Sequence, residues 1–216
     1  MSDAYSPTDR TRLRRLPKRG EFDRAAVHAI LDAGLVCHVG FVHEGQPYVL
    51  PTNYVRWGEQ VYIHGAAAGR MIKSLASGTP LCVTVTHLDG LVLARSAFHH
   101  SVNYRSVVVL GPGRLVTDPQ EKLEALHRFT NHVVRGRWEE VRPPTEPELK
   151  GTHVIAVALD EVSAKVRTGF PVDDEEDYSI PVWAGWLPLD TRPGTPVPDP
   201  RLHPDAPPLD LTRFKR

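Results

Sequence analysis

The chain has 216 residues, enough for one self-sufficient domain with an appendage. Its 26 Lys and Arg residues balance 26 Asp and Glu residues, which removes any electrostatic reason to expect nucleic acid or an anionic membrane as a partner. With two cysteines in apolar runs and no stretch approaching ~18 apolar residues, there is no disulfide framework and no membrane span, and a reducing, cytoplasmic setting is expected.

Residues 1–20 carry five arginines between Arg10 and Arg19 and little apolar surface, so they predict a flexible arm. Asp23 then caps a short amphipathic helix, Arg24–Ala33, with Val27, Ile30 and Leu31 on one face and Gly34 as its stop. From Leu35 the period changes. Leu35–Val42, Pro47–Arg56 and Gln60–His64 are β-rich runs separated by Glu44-Gly45-Gln46 and Trp57-Gly58-Glu59, the pattern of an antiparallel meander.

A small-residue turn, Gly65-Ala66-Ala67-Ala68-Gly69, leads into a helix over Arg70–Ala76. Two β runs follow, Leu81–Leu88 and Leu91–Ala94, then an irregular Arg95–Asn103 and a long run Tyr104–Thr117 bent at Gly111-Pro112-Gly113. Pro119 opens a helix through Val134, and His153–Val162 is a last alternating strand. Residues 21–170 thus form one domain, mainly β, an antiparallel barrel with helices between strands. Residues 171–216 are a proline-dense tail whose acidic run, Asp173–Asp177, predicts a solvated linker.

The window Val61–Leu75 carries the most chemistry. A strand ending in a small-residue turn lets backbone N–H groups approach an anion, and Arg70 and Lys73, three apart, project from one helix face where they can clamp a phosphate. It is neither a Walker loop nor a GxGxxG fingerprint. Taken with Gln46-Pro47-Tyr48-Val49-Leu50-Pro51-Thr52-Asn53-Tyr54, Val61-Tyr62-Ile63-His64-Gly65, and Tyr104-Arg105-Ser106-Val107-Val108-Val109-Leu110-Gly111, the chain resembles the pyridoxamine 5′-phosphate oxidase-related FMN-binding proteins, and within them the nitroimidazole-resistance-type branch. The resemblance runs from about Arg24 to Val162.

That resemblance implies a split β-barrel whose homodimer forms two FMN sites. It places Arg70, Lys73 and Ser106 at the FMN phosphate, the backbone of Leu50, Pro51 and Thr52 along the isoalloxazine ring, and Tyr62, Ile63 and His64 beside it. A flavin ring needs apolar walls and a few backbone partners, and its phosphate needs fixed cations. The implied function is electron transfer from NADH, NADPH or another transient donor to a small organic acceptor such as a nitro compound or quinone, with a flavin carrier or a haem- or deazaflavin-binding barrel as alternatives. The C-terminal arginine motif of the dedicated oxidase is missing.

Three residues have two readings each. His64 is either a strand-end imidazole satisfied by a backbone carbonyl or a group beside the substrate that transfers a proton. Lys165, alternating with Arg167, is either solvent-facing or over the partner's flavin. Trp183 is either an anchor for the tail or a lid stacked on the flavin. The paired histidines His99-His100 and His127/His132 have no chelating spacing, so no metal is expected.

Overall fold

The computed structural model describes residues 3–214. Among them a two-residue strand β1 (Gly20–Glu21) precedes helix α1 (Arg24–Ala33), whose cap is the Asp23 carboxylate accepting from the Ala26 N–H at 2.8 Å. Val27, Ile30 and Leu31 are buried on its inner face, each contributing roughly 1.5–3 kcal/mol of transfer free energy. Strands β2 (Val36–His43) and β3 (Gln46–Trp57) follow as a hairpin. Its two-residue turn has Glu44 at φ 51° and Gly45 at φ 77°, the left-handed pair that matches the twist of the flanking strands.

Next come β4 (Gln60–Ala66), helix α2 (Arg70–Ala76), β5 (Pro80–Leu93), β6 (Ser101–Pro112), β7 (Arg114–Leu115), helices α3 (Pro119–Val133) and α4 (Glu146–Gly151), β8 (Thr152–Ala158) and β9 (Glu161–Arg167). All pairs are antiparallel, in the order β1-β9-β6-β5-β2-β3-β4-β8-β7, and this curled sheet is the split barrel. The concave face packs Cys37, Val39, Val83, Val85, Val107, Val109 and Ile63 into one core with α1 and α2. On the convex side α3 covers a second cluster that includes Val55, Tyr62, Phe129 and Val154. Of the two cysteines, Cys37 is fully buried, and burial pushes its thiol up to about 12.

Helices α1 and α3 start where their caps predict, but the strand ends differ from the sequence pattern. The two runs Leu81–Leu88 and Leu91–Ala94 are one continuous strand, Pro80–Leu93, with an irregularity between Leu88 and Gly90, because pairing to β6 carries the backbone through Asp89. His153–Val162 is divided between two strands, β8 and β9, by a turn at Leu159-Asp160; β8 pairs with β4 and β7, whereas β9 crosses over to pair with β6 and β1.

The two ends of the chain correct the sequence reading most. The N-terminal segment packs onto the barrel: Tyr5 is buried, with its hydroxyl 2.8 Å from Glu59 Oε2 and 2.9 Å from His28 Nε2, and Arg10 pairs with Glu161. At the other end the tail adds a strand, β10 (Gly185–Pro188), antiparallel to the distal half of β5. Asp173 is a latch for this strap rather than part of a solvated linker. Its side chain is fully buried and accepts from the Arg95 N–H at 3.0 Å, the Ser96 N–H at 3.4 Å and the Arg95 guanidinium at 3.1 Å. Burial alone would push its carboxyl up; these donors outweigh it and hold the group below the usual aspartate range.

Candidate cofactor site

Strand β3 serves two neighbours in turn. Its first half, Gln46–Asn53, pairs with β2, and its second half, Tyr54–Trp57, pairs with β4 on the opposite edge. Beyond the Tyr54–Ile63 pair β4 departs, and His64, Gly65 and Ala66 pair with β8 alone. Among the described residues the β4-side edge of Gln46–Asn53 therefore has no strand partner, and its N–H and C=O groups face a wedge between the two strands. This fork is the split of the barrel.

Helix α2 flanks the open end of the fork. Arg70 reaches across it, donating to the Tyr48 hydroxyl at 3.1 Å with its guanidinium carbon 5.2 Å from the Tyr48 ring centre. Tyr48 in turn stacks on Phe41 at 5.5 Å, which fixes the platform under the cation. Neither Arg70 nor Lys73 has a carboxylate partner among the described residues, whereas Arg56, Arg105 and Arg114 are each paired with one. Leu50, Pro51 and Thr52 line the fork midway, Leu50 and Pro51 exposed and Thr52 half-buried.

His64 stands at the apex, on the convex face. Its ring packs edge-on to Phe129 with centroids 4.3 Å apart, and its Nδ1 is buried with no hydrogen-bond partner. Burial holds the imidazole below its ordinary value, so it is neutral at pH 7. A histidine depressed in the fold is protonated first in the unfolded chain. Its contribution to stability is complete above ~6.5 and falls as pH drops below that value. A two-dimensional NMR titration is expected to place the His64 midpoint below the ~6.5 of a free imidazole; a midpoint at or above that value would show that the ring is hydrated.

Around the fork, then, Leu50, Pro51 and Thr52 lie on β3, His64 lies where β4 departs, and Arg70 and Lys73 lie on α2 at the open end. The fork leaves out the rest of the set drawn from the resemblance. Ile63 is fully buried in the barrel core, and Tyr62 is buried beneath α3 with its hydroxyl on Glu121 at 3.0 Å; both strand edges at this point are paired, so neither offers a surface to a ring. Ser106 and Lys165 are cross-strand neighbours, with the Ser106 hydroxyl on the Lys165 carbonyl at 3.3 Å. They lie on the same convex face as His64, but Ser106 is four strands and Lys165 five strands away in the sheet order, about 19 and 24 Å along the sheet at ~4.8 Å per strand. Trp183 lies on the strap beside Gly185, at the distal end of β5, 65% exposed. Arg167, expected in solvent, is buried and bonded to Asn103 and to the Phe170 carbonyl. Tyr48 was passed over as a site residue, although a tyrosine two residues before Leu50 necessarily shares its face of the strand.

One cluster outside the fork brings ligand-type atoms together: His99, Asp173 and Asp177 lie within 4.8 Å of one another. The Asp173 carboxylate is already filled by the strap latch, as described above.

The family model described as pyridoxamine 5′-phosphate oxidase matches residues 23–166, and the chain belongs to that family. Solved structures refine the relationship. The flavocytochrome Anf3 from Azotobacter vinelandii is 43% identical over 98% of this chain and 99% of its own, with a TM-score of 0.91. The FAD and heme binding protein from Mycobacterium smegmatis is 33% identical over 91% of this chain and 96% of its own, with a TM-score of 0.86. A putative 5-nitroimidazole antibiotic resistance protein from Bacteroides thetaiotaomicron is 25% identical over 67% of this chain and 84% of its own, with a TM-score of 0.56. Among curated proteins none matches the chain. This chain is therefore a flavin-binding split-barrel protein.

Proposed function

We propose that the protein is a redox protein carrying a flavin in the fork and a haem as a second group, working as a homodimer to pass electrons from a nicotinamide or other donor to a small organic acceptor. The observation that carries this reading is the span of the similarity. The flavocytochrome and the FAD and heme binding protein match 98% and 91% of this chain, while the nitroimidazole-type protein matches 67% of it.

The residues of the fork suit a flavin. Arg70 and Lys73 supply unpaired cations for the phosphate, the open edge of β3 supplies backbone donors and acceptors for the ring, and neutral His64 can accept a proton at its unpartnered nitrogen. A bound flavin supplies hydride and single-electron transfer. FMN, which the family resemblance implies, and FAD share the isoalloxazine, ribityl and first phosphate that the fork fits. We assign FAD to this protein because the Mycobacterium smegmatis relative is described with it.

The convex face beside the fork supports the dimer. Val42 and Val49 are 52% and 66% exposed there, an uncharged patch that a second copy would cover. That copy would also close the open side of the fork. Among the described residues no helix is long and apolar enough to cross a membrane.

The absorption spectrum of the full chain purified with both cofactors supplied is expected to show flavin bands and a Soret band. Chromatography of the released flavin should give FAD, and light scattering should give twice the chain mass. A colourless protein that takes up neither flavin nor hemin sinks the reading; release of FMN alone corrects the flavin.

A further inference from the structure

A second opening interrupts the sheet away from the fork. The edge of β5 is covered by β2 at Leu81–Thr84 and by β10 at Gly90–Leu93, so between them the strand edge is bare of strand partners among the described residues. The start of β2 and the end of α1 form one side of the resulting cleft, and the strap, through Leu189–Pro193 and Phe214, forms the other. Its volume is about 1040 Å³, at the top of the ~300–1,000 Å³ range of small-molecule sites.

The lining suits a large flat molecule that is apolar in its body and anionic at one edge. Val36, Leu88 and Leu189 are exposed into it, 48%, 50% and 38% respectively. Arg105 also lines it, with its guanidinium fixed in place by two bonds to Asp89 at 2.9 and 2.8 Å. A single imidazole is present, His87, whose Nε2 sits 2.9 Å from the Ile30 carbonyl. That carbonyl is an acceptor, so Nε2 carries the proton and Nδ1 holds the lone pair. Nδ1 has no hydrogen-bond partner among the described residues and is not among the buried unpartnered atoms. A metal-ligating histidine is characteristically anchored in this way, by its other N–H on a backbone carbonyl.

The strap supplies this wall through Leu189–Pro193 and Phe214, so without it the cleft keeps only the side formed by α1 and β2. We propose that the strap-walled cleft is the haem seat of this protein, with His87 as the protein ligand to iron and Arg105 at the propionate edge. The inference rests on the haem half of the function proposed above and adds where that haem sits and why the tail exists.

The experiment uses the full chain loaded with hemin and flavin, and reads haem affinity, Soret position and iron EPR against bound flavin, which reports that the barrel is folded. His87→Ala is expected to weaken haem binding about tenfold or more and to shift the Soret band and EPR signal, with flavin content unchanged. Gly90→Val tests the wall. A Cβ at Gly90 would fall 2.0 Å from Trp186 Nε1 and 2.8 Å from the Leu187 carbonyl, so it unseats β10 and should weaken haem binding comparably. Unchanged haem affinity in both variants overturns the inference. Loss of the Soret band in His64→Ala with an unaltered spectrum in His87→Ala overturns the ligand assignment. A wild-type chain that takes up flavin but shows no Soret band on hemin addition removes the haem reading itself.

Discussion

Arg70→Ala weakens FMN binding to the apoprotein by about 10–100-fold. The guanidinium is held across the fork by the Tyr48 hydroxyl and ring, without a carboxylate to share it, so its donors are free for a phosphate. A hydrogen bond to a charged group contributes about 1.5–3 kcal/mol, and each 1.4 kcal/mol is about tenfold in affinity. Riboflavin, which lacks the phosphate, should lose almost nothing on the same substitution. Lys165→Ala should have the smaller effect, because within one chain Lys165 is about five strands from the fork. Fluorescence titration with FMN and riboflavin checks the set. Equal FMN dissociation constants for the two variants would overturn the ranking, and an equal loss for riboflavin would move Arg70 from the phosphate to the ring. Because Arg70 is exposed, its contribution should shrink as salt is added.

Gly34→Ala is expected to cost about 2–5 kcal/mol of stability, through space rather than backbone conformation. Gly34 is extended at φ −91°, which any residue adopts, but a Cβ there would lie 2.3 Å from the Tyr54 hydroxyl and 3.0 Å from Val85 Cγ1. Tyr54 is buried and donates to the Leu31 carbonyl at 2.5 Å, satisfying the last turn of α1. The added methyl must push the ring aside, combining overpacking at ~1–3 kcal/mol with loss of the buried Tyr54–Leu31 hydrogen bond at ~1–2 kcal/mol. At ~2–4 °C per kcal/mol for a chain of this size, the melting temperature should fall by about 5–15 °C. The double variant Gly34→Ala with Tyr54→Phe should recover part of the loss, since it removes the atom the methyl strikes. A melting temperature unchanged in the single variant would show that the barrel yields at this point.

What could be read from the chain was local and periodic. Asp23 and Pro119 mark helix starts because a cap and a missing N–H act within one turn, and the Glu44-Gly45 turn sets the β2–β3 hairpin because only two residues decide it. That Arg70 and Lys73 share one helix face was legible from their i, i+3 spacing. The turn at Leu159-Asp160 has a weaker signal, Asp160 alone with no glycine or proline beside it.

The missed features depend on partners distant in sequence. Asp173 sits in an acidic run, and nothing local distinguishes it from its neighbours; Arg95, 78 residues away, makes it a buried latch. Tyr62 and His64 occupy the same face of β4, yet α3 buries the first on Glu121 and leaves the second at the apex of the fork. The strand in the tail exists because β5 outruns β2 and offers an unpaired edge, which Gly90 lets Trp186 approach. By itself, then, the sequence determined the split-barrel family, the boundaries of α1, α2 and α3, and the placing of Arg70 and Lys73 three apart on one helix, all set by neighbours within a turn or a strand. The tertiary structure alone decided where β3 parts from β4, which candidate residues meet there, and that the tail walls a second cleft, because those outcomes turn on strand register and on which edges are left unpaired once the barrel closes.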